Sequence, residues 1–198
     1  MSAPQRAERL WTPANVVTVV RICLVPAFVV ALLSPWPQWM GLTDFTDQAK
    51  SLVAAGVFIL ISCTDWIDGY LARSRGEVTD FGKFMDPLAD KLLVCSALIC
   101  LIELGQLPAW VVIVIISREF IISGFRLVAA DNGVVIAASY WGKFKTTFQM
   151  IAVILLIFDI PALRMVANIT VVIAVALTII SLVDYVAKNY KILTEGGM

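Results

Sequence analysis

Four aspartates carry the strongest chemical signal in the chain: Asp65 with Asp68, and Asp86 with Asp90. At about 100° per residue, Asp65, Asp68, Gly69 and Ala72 fall on one stripe of a helix. Gly82, Asp86 and Asp90 are successive i, i+4 neighbours on a stripe of another. Carboxylates without a histidine or cysteine partner select hard cations, which points to Mg²⁺ or Mn²⁺, as one ion or a pair. The chain contains no histidine. That excludes Ser-His-Asp triads, His-ligated zinc or haem, and imidazole bases.

The elements that hold these acids belong in a bilayer. The 198 residues are 60% hydrophobic and 15% charged, with a mean hydropathy of +0.89; a soluble domain carries about a quarter charged residues. The net charge is zero, so bulk charge gives no reason to expect a nucleic-acid partner. A spanning helix needs about 20 apolar residues. Six runs qualify, at 16–33, 49–71, 82–104, 108–130, 140–160 and 166–187, predicting an all-α, polytopic membrane protein with six transmembrane helices. Residues 1–198 read as one membrane domain, with 1–14 a short cytoplasmic or surface segment. Arg6 and Arg9 before an apolar stretch raise a signal peptide, but Arg21 interrupts its core and five spans follow, which favours a retained first helix. Cys23, Cys63, Cys95 and Cys100 form no C-x-x-C pair and read as small buried hydrophobes.

Arg6, Arg9, Arg73, Arg75, Lys83, Arg126, Lys143, Lys145, Lys188 and Lys191 all fall on one side of the six spans. By the positive-inside rule both termini and the loops after spans two and four are cytoplasmic. The short loop at 74–81 makes spans two and three antiparallel neighbours, so the two acidic stripes can face each other at the cytoplasmic boundary. Four carboxylates deep in lipid without partners would cost on the order of 10 kcal/mol. A salt-bridge cluster with Arg73, Lys83 and Lys91 is one answer to that cost. Bound cations are the other, and Gly69, Ala72 and Gly82 on the same stripes leave room for a ligand against the backbone.

Written out, the stretch reads D-W-I-D-G-Y-L-A-R, eight residues, then G-K-F-M-D-P-L-A-D. This pattern, D-x2-D-G-x2-A-R-x8-G-x3-D-x3-D, resembles the signature of the CDP-alcohol phosphotransferases, with no position departing from it. The resemblance implies a six-helix membrane enzyme that transfers a phosphoalcohol from a CDP-alcohol to a hydroxyl and releases CMP. It implies that Asp65, Asp68 and Asp86 hold the metals. Asp90 would be the general base with a share in the second metal site. Asp68, Gly69, Ala72, Arg73 and Gly82 would bind CDP, Arg73 at the diphosphate. It also implies a homodimer in a bacterial inner membrane, with the active site facing the cytoplasm.

The other intramembrane charges bear on the acceptor. Arg118 and Arg126 lie within about 80° of each other on one helix. Lys143 and Lys145 begin the next span, and Arg21 follows Asn15 and Thr18 in the first. Positive charge in excess of the acids suits a phosphate-bearing acceptor; headgroup binding by the lysines and local pairing of Arg118 with Glu119 are the alternatives. The segments N-x2-T-x2-R, I-S-R-E-F and Y-W-G-K-F-K-T resemble the branch of the family that joins CDP-diacylglycerol to glycerol 3-phosphate. Inositol phosphate, or phosphatidylglycerol as in cardiolipin synthesis, are competing acceptors. An intramembrane prenyltransferase and a divalent-cation transporter would also place acids in a membrane, but neither accounts for Arg73 and the glycines.

Overall fold

The computed structural model describes residues 13–42, 44–75, 80–131 and 140–195, with side chains excepted at 13–14, 65–75, 80–84, 86–87, 90, 130–131 and 190–195. These residues are all-α: α1 (Pro13–Leu33), the single turn α2 (Trp36–Trp39), α3 (Asp47–Arg75), α4 (Asp80–Glu103), α5 (Ala109–Asp131), α6 (Tyr140–Phe158) and α7 (Arg164–Glu195), with a 3₁₀ turn (Pro161–Leu163) before α7. Each of the six long helices overlies one of the six apolar runs of the sequence. Among the described residues, four are long and apolar enough to cross a membrane, at α1, α3, α6 and α7. The side chains of the first half of α4 are largely outside the described residues. Helix α5 falls short by charge rather than length, because Arg118, Glu119 and Arg126 fall inside every 18-residue stretch of it.

Contacts divide the chain into two compact units, Met1–Ala97 and Leu98–Met198. In the first, α1 packs on α3. The buried face of α1 is one stripe: Asn15, Thr18 and Arg21, then Val25, Phe28 and Leu32. Phe28 meets Phe58 of α3 at 5.4 Å between ring centroids, tilted by 49°. Ala54 and Ala55, both fully buried, let the helix backbones approach. Pro26 sits inside α1 without ending it. Trp36 closes the end of α1, its indole N–H donating to the Ala31 carbonyl at 3.0 Å.

In the second unit α7 packs on both α6 and α5. Its buried residues are Ala167, Thr170, Ala174, Val175, Thr178, Ser181 and Tyr185, mostly small and, apart from Val175, at steps of three or four residues. That narrow stripe brings backbones close where lipid supplies no hydrophobic drive between helices. The buried threonine and serine hydroxyls on it turn back on their own helix: Thr170 to the Val166 carbonyl at 2.7 Å, Thr178 to Ala174 at 2.6 Å and Ser181 to Thr178 at 3.0 Å. The cysteines correct the expectation of burial. Only Cys100 is buried; Cys95 is half-buried, and Cys23 and Cys63 are exposed. A lipid-facing helix surface is as apolar as a core, so an apolar neighbourhood in sequence does not tell the two apart.

Candidate functional site

Asp65 and Asp68 lie on α3, and Asp86 and Asp90 on α4, with residues 76–79 between the two helices. Their backbones therefore have the helical spacing that aligns each pair on one stripe. The side chains of Asp65, Asp68, Gly69, Ala72, Arg73, Gly82, Asp86 and Asp90 lie outside the described residues. Arg21 is 2% exposed and continues the polar part of the buried α1 stripe, with Thr18 and Asn15 about one and two turns before it.

The basic residues of the second unit are described in full. Arg118, on α5, is buried and lies against α7: its Nε donates to Ser181 Oγ at 3.2 Å, while Ser181 donates to the Thr178 carbonyl. Its Nη1 donates to Glu119 Oε1 at 3.0 Å. Lys145, on α6 and 2% exposed, donates its ammonium to the same carboxylate oxygen. One glutamate thus joins two cations from two helices, and the Arg118–Glu119 pairing is present as one of the sequence alternatives anticipated.

Beside this cluster lies a cavity of about 440 Å³, lined by Arg118, Glu119, Arg126, Lys143 and Tyr185, with Thr146 and Thr147 of α6. Arg126 and Lys143 are exposed side chains that line it from α5 and α6. Lys143 also lies 5.8 Å from the centre of the Tyr140 ring. Three cations and one carboxylate line the cavity, so its net charge is positive by two before Lys145 behind Glu119 is added. A phosphate monoester carries about −1.5 to −2 near neutral pH, which matches that excess.

The structure brings together Arg118, Arg126 and Lys143 as the sequence anticipates. It keeps Lys145 out of the cavity lining, on the shared Glu119 carboxylate, although the two lysines are near neighbours in sequence. On a helix they are about 200° apart, so one points to the cavity and the other into the packing.

Two cavity residues were not singled out as ligand groups. Glu119 was weighed only as a local partner for Arg118. Tyr185 carried no signal at all: a tyrosine near the end of an apolar helix reads as an interfacial residue. It is 3% exposed, packs edge-on against Phe125 at 6.1 Å and 87°, and its hydroxyl meets no hydrogen-bond partner among the described residues.

Residues 11–180 match the family model for CDP-alcohol phosphatidyltransferase. The CDP-diacylglycerol–glycerol-3-phosphate 3-phosphatidyltransferase of Bacillus subtilis is 45% identical over 185 residues, covering 90% of this chain and 95% of the relative. A probable phosphatidylglycerophosphate synthase of Mycobacterium tuberculosis is 39% identical over 92% of this chain and 84% of its own length. The Haemophilus influenzae CDP-diacylglycerol–glycerol-3-phosphate 3-phosphatidyltransferase is 38% identical over 87% and 91%. A model match over most of the chain, a complete aspartate signature and relatives of the same length class place this chain in the CDP-alcohol phosphatidyltransferase family.

Proposed function

We propose that this enzyme transfers the phosphatidyl group of CDP-diacylglycerol to a hydroxyl of sn-glycerol 3-phosphate, giving phosphatidylglycerol phosphate and CMP. The observation that carries the acceptor assignment is the cavity in which Arg118, Arg126 and Lys143 converge with a net positive charge. The names of the relatives, at 34–45% identity, support the same pair of substrates.

In the reaction the acceptor hydroxyl oxygen attacks the phosphorus that bears the diacylglycerol. The bond from that phosphorus to the bridging oxygen breaks, and CMP leaves with the electron pair. Asp90 takes the hydroxyl proton as the new bond forms. Asp65, Asp68 and Asp86, with a share from Asp90, have the donor chemistry to hold Mg²⁺ or Mn²⁺, as one ion or two, since all are hard carboxylate oxygens on two helices. Bound there, the metal supplies Lewis-acid polarisation of the diphosphate and neutralises charge on the leaving group. Asp68, Gly69, Ala72, Arg73 and Gly82 hold the cytidine diphosphate, with the planar Arg73 donors suited to two phosphate oxygens at once.

At the acceptor end, Arg126 and Lys143 contact the phosphate directly. Arg118 has Nε and Nη1 already occupied by Ser181 and Glu119, which fixes its plane and aims its remaining donors. Glu119 and Lys145 act as positioning residues for it. Arg21, buried on α1, is a further candidate for the acceptor phosphate. The six long helices cross the membrane with both termini cytoplasmic, which follows from the one-sided distribution of basic residues. The whole chain works as one catalytic domain, with a homodimer as the assembly the family resemblance carries.

The test is CMP release from CDP-diacylglycerol by purified protein in detergent with Mg²⁺ or Mn²⁺. Glycerol 3-phosphate, inositol, inositol phosphate and serine are compared as acceptors. CMP that appears only with glycerol 3-phosphate, and is lost in Asp90→Asn while CDP-diacylglycerol still binds, is the expected result. CMP with another acceptor overturns the reading of the basic cavity. Parent-like rates in Asp90→Asn overturn the base assignment.

A further inference from the structure

The opposite end of α6 carries a second polar cavity that this reaction does not use. It has a volume of about 190 Å³, with Gln106, Asp159, Arg164 and Asn168 as its polar lining and Leu155 and Leu156 among its apolar walls. That is room for several waters, and so for a small polar group.

Two tight turns build it. After α6, Asp159 adopts φ 47° and its N–H returns to the Leu156 carbonyl at 3.2 Å. Aspartate is one of the few side chains that tolerates this left-handed conformation. Ile160 is extended and the 3₁₀ turn then leads into α7, which starts at Arg164. Gln106 comes from the connection after α4, where Gly105 at φ 67° lets the Gln106 N–H return to the Leu101 carbonyl at 2.9 Å. The Asp159, Gly105 and Gln106 N–H groups are thus taken up inside the turns themselves.

The chemistry of the lining side chains is specific. Gln106 Oε1 is buried and receives no hydrogen bond from the described residues. Asp159 and Arg164 line the same cavity yet form no ion pair, with each other or with any other described residue. Two acceptors, Gln106 and Asp159, therefore ask for N–H donors, while the Arg164 guanidinium asks for an anionic oxygen. One ligand meets both needs if it holds an ammonium and a phosphate a short distance apart.

The location names its source. The apolar spans within α6 and around α7, Tyr140–Phe158 and Pro161–Asn189, meet at this turn, at the level where hydrocarbon gives way to headgroups. Met165, Val166 and Ile169 nearby are exposed apolar side chains that suit acyl chains. From Lys143 to Asp159 the α6 axis runs about 24 Å, close to the hydrocarbon thickness, so the two cavities lie toward opposite faces of the bilayer. We propose that this cavity binds the headgroup of a zwitterionic phospholipid with a primary ammonium, in the leaflet opposite the acceptor cavity. The proposal does not rest on the acceptor assignment.

The test is native mass spectrometry of the full, delipidated chain titrated with phosphatidylethanolamine, phosphatidylcholine and phosphatidylglycerol of matched acyl chains. Phosphatidylethanolamine is expected to be retained about tenfold more than phosphatidylglycerol, the value of one charged hydrogen bond. Phosphatidylcholine should fall near phosphatidylglycerol, because its quaternary ammonium has no N–H to offer. Asp159→Asn should abolish the preference at an unchanged melting temperature in detergent, asparagine being tolerated at positive φ, while Arg164→Gln should lower the retention of all three lipids, because the phosphate it takes is common to them. Gln106→Leu should reduce the preference too, while raising the lipid-free melting temperature by removing a buried acceptor. Equal retention of the three lipids by the parent chain, a preference that survives in both Asp159→Asn and Gln106→Leu, or unchanged retention in Arg164→Gln, overturns the proposal. Soluble phosphoethanolamine holding as tightly as the lipid overturns the lipid as source.

Discussion

Replacing Glu119 by leucine removes the one carboxylate shared by Arg118 and Lys145. The Arg118 contact is 3.0 Å long, with 10% and 19% of the two side chains exposed, and the Lys145 side chain is 2% exposed. At an effective dielectric constant of about 20, one such contact is worth about 5 kcal/mol before desolvation. The net cost of breaking a buried pair from one side is about 3–5 kcal/mol, because the other charge stays buried. For a chain of this size that corresponds to a fall in Tm on the order of 10 °C. Lys145→Met alone should cost less, because Arg118 still balances Glu119. The double variant Glu119→Leu with Lys145→Met should recover at least about 2 kcal/mol of the summed single costs, since an ion pair replaced whole by apolar side chains is close to neutral. The assay is thermal unfolding in detergent of the four proteins of the cycle. Costs that add within about 0.5 kcal/mol refute the shared-carboxylate arrangement, and with it the view that Lys145 positions rather than binds.

The acceptor cavity makes two further predictions. Arg126→Gln and Lys143→Gln should each raise the KM for glycerol 3-phosphate about tenfold or more, with the KM for CDP-diacylglycerol changed much less. Equal effects on both substrates in initial-rate kinetics would point to general electrostatics instead. Tyr185→Phe keeps the ring contact with Phe125 and removes only the buried hydroxyl, so it should raise the acceptor KM a few-fold at an unchanged Tm; a Tm gain with unchanged KM would show that the hydroxyl meets no ligand.

Much of this was legible from residue order, and the limits have physical causes. The six long helices were visible because a bilayer imposes a length on each apolar run. The buried polar stripe of α1 was visible only in part: N-x2-T-x2-R marked Asn15, Thr18 and Arg21, but not that Val25, Phe28 and Leu32 continue the same face. Lys143 and Lys145 were pooled by their closeness in sequence, where helical geometry sends them to different surroundings. Glu119 became a junction only through Lys145, 26 positions further on, and no local pattern encodes such a contact. Tyr185 and the Gln106–Asp159–Arg164 cavity arise where turns and helix ends converge, which residue spacing does not express. The metal and CDP assignments rest on the signature and on the helical backbones that carry it.

The hydroxyls of α7 bear on how the chain is made. Thr170, Thr178 and Ser181 each return to a carbonyl of their own helix, so α7 can leave the translocation machinery without waiting for a partner to take up these groups. Arg118 and Glu119 neutralise each other within α5, which eases its entry in the same way. Lys145 differs, because the carboxylate it uses belongs to α5. That contact forms once α5 is in place, and a ribosome delivers α5 before α6. Biosynthetic order and the order of charge neutralisation therefore coincide in this half of the protein.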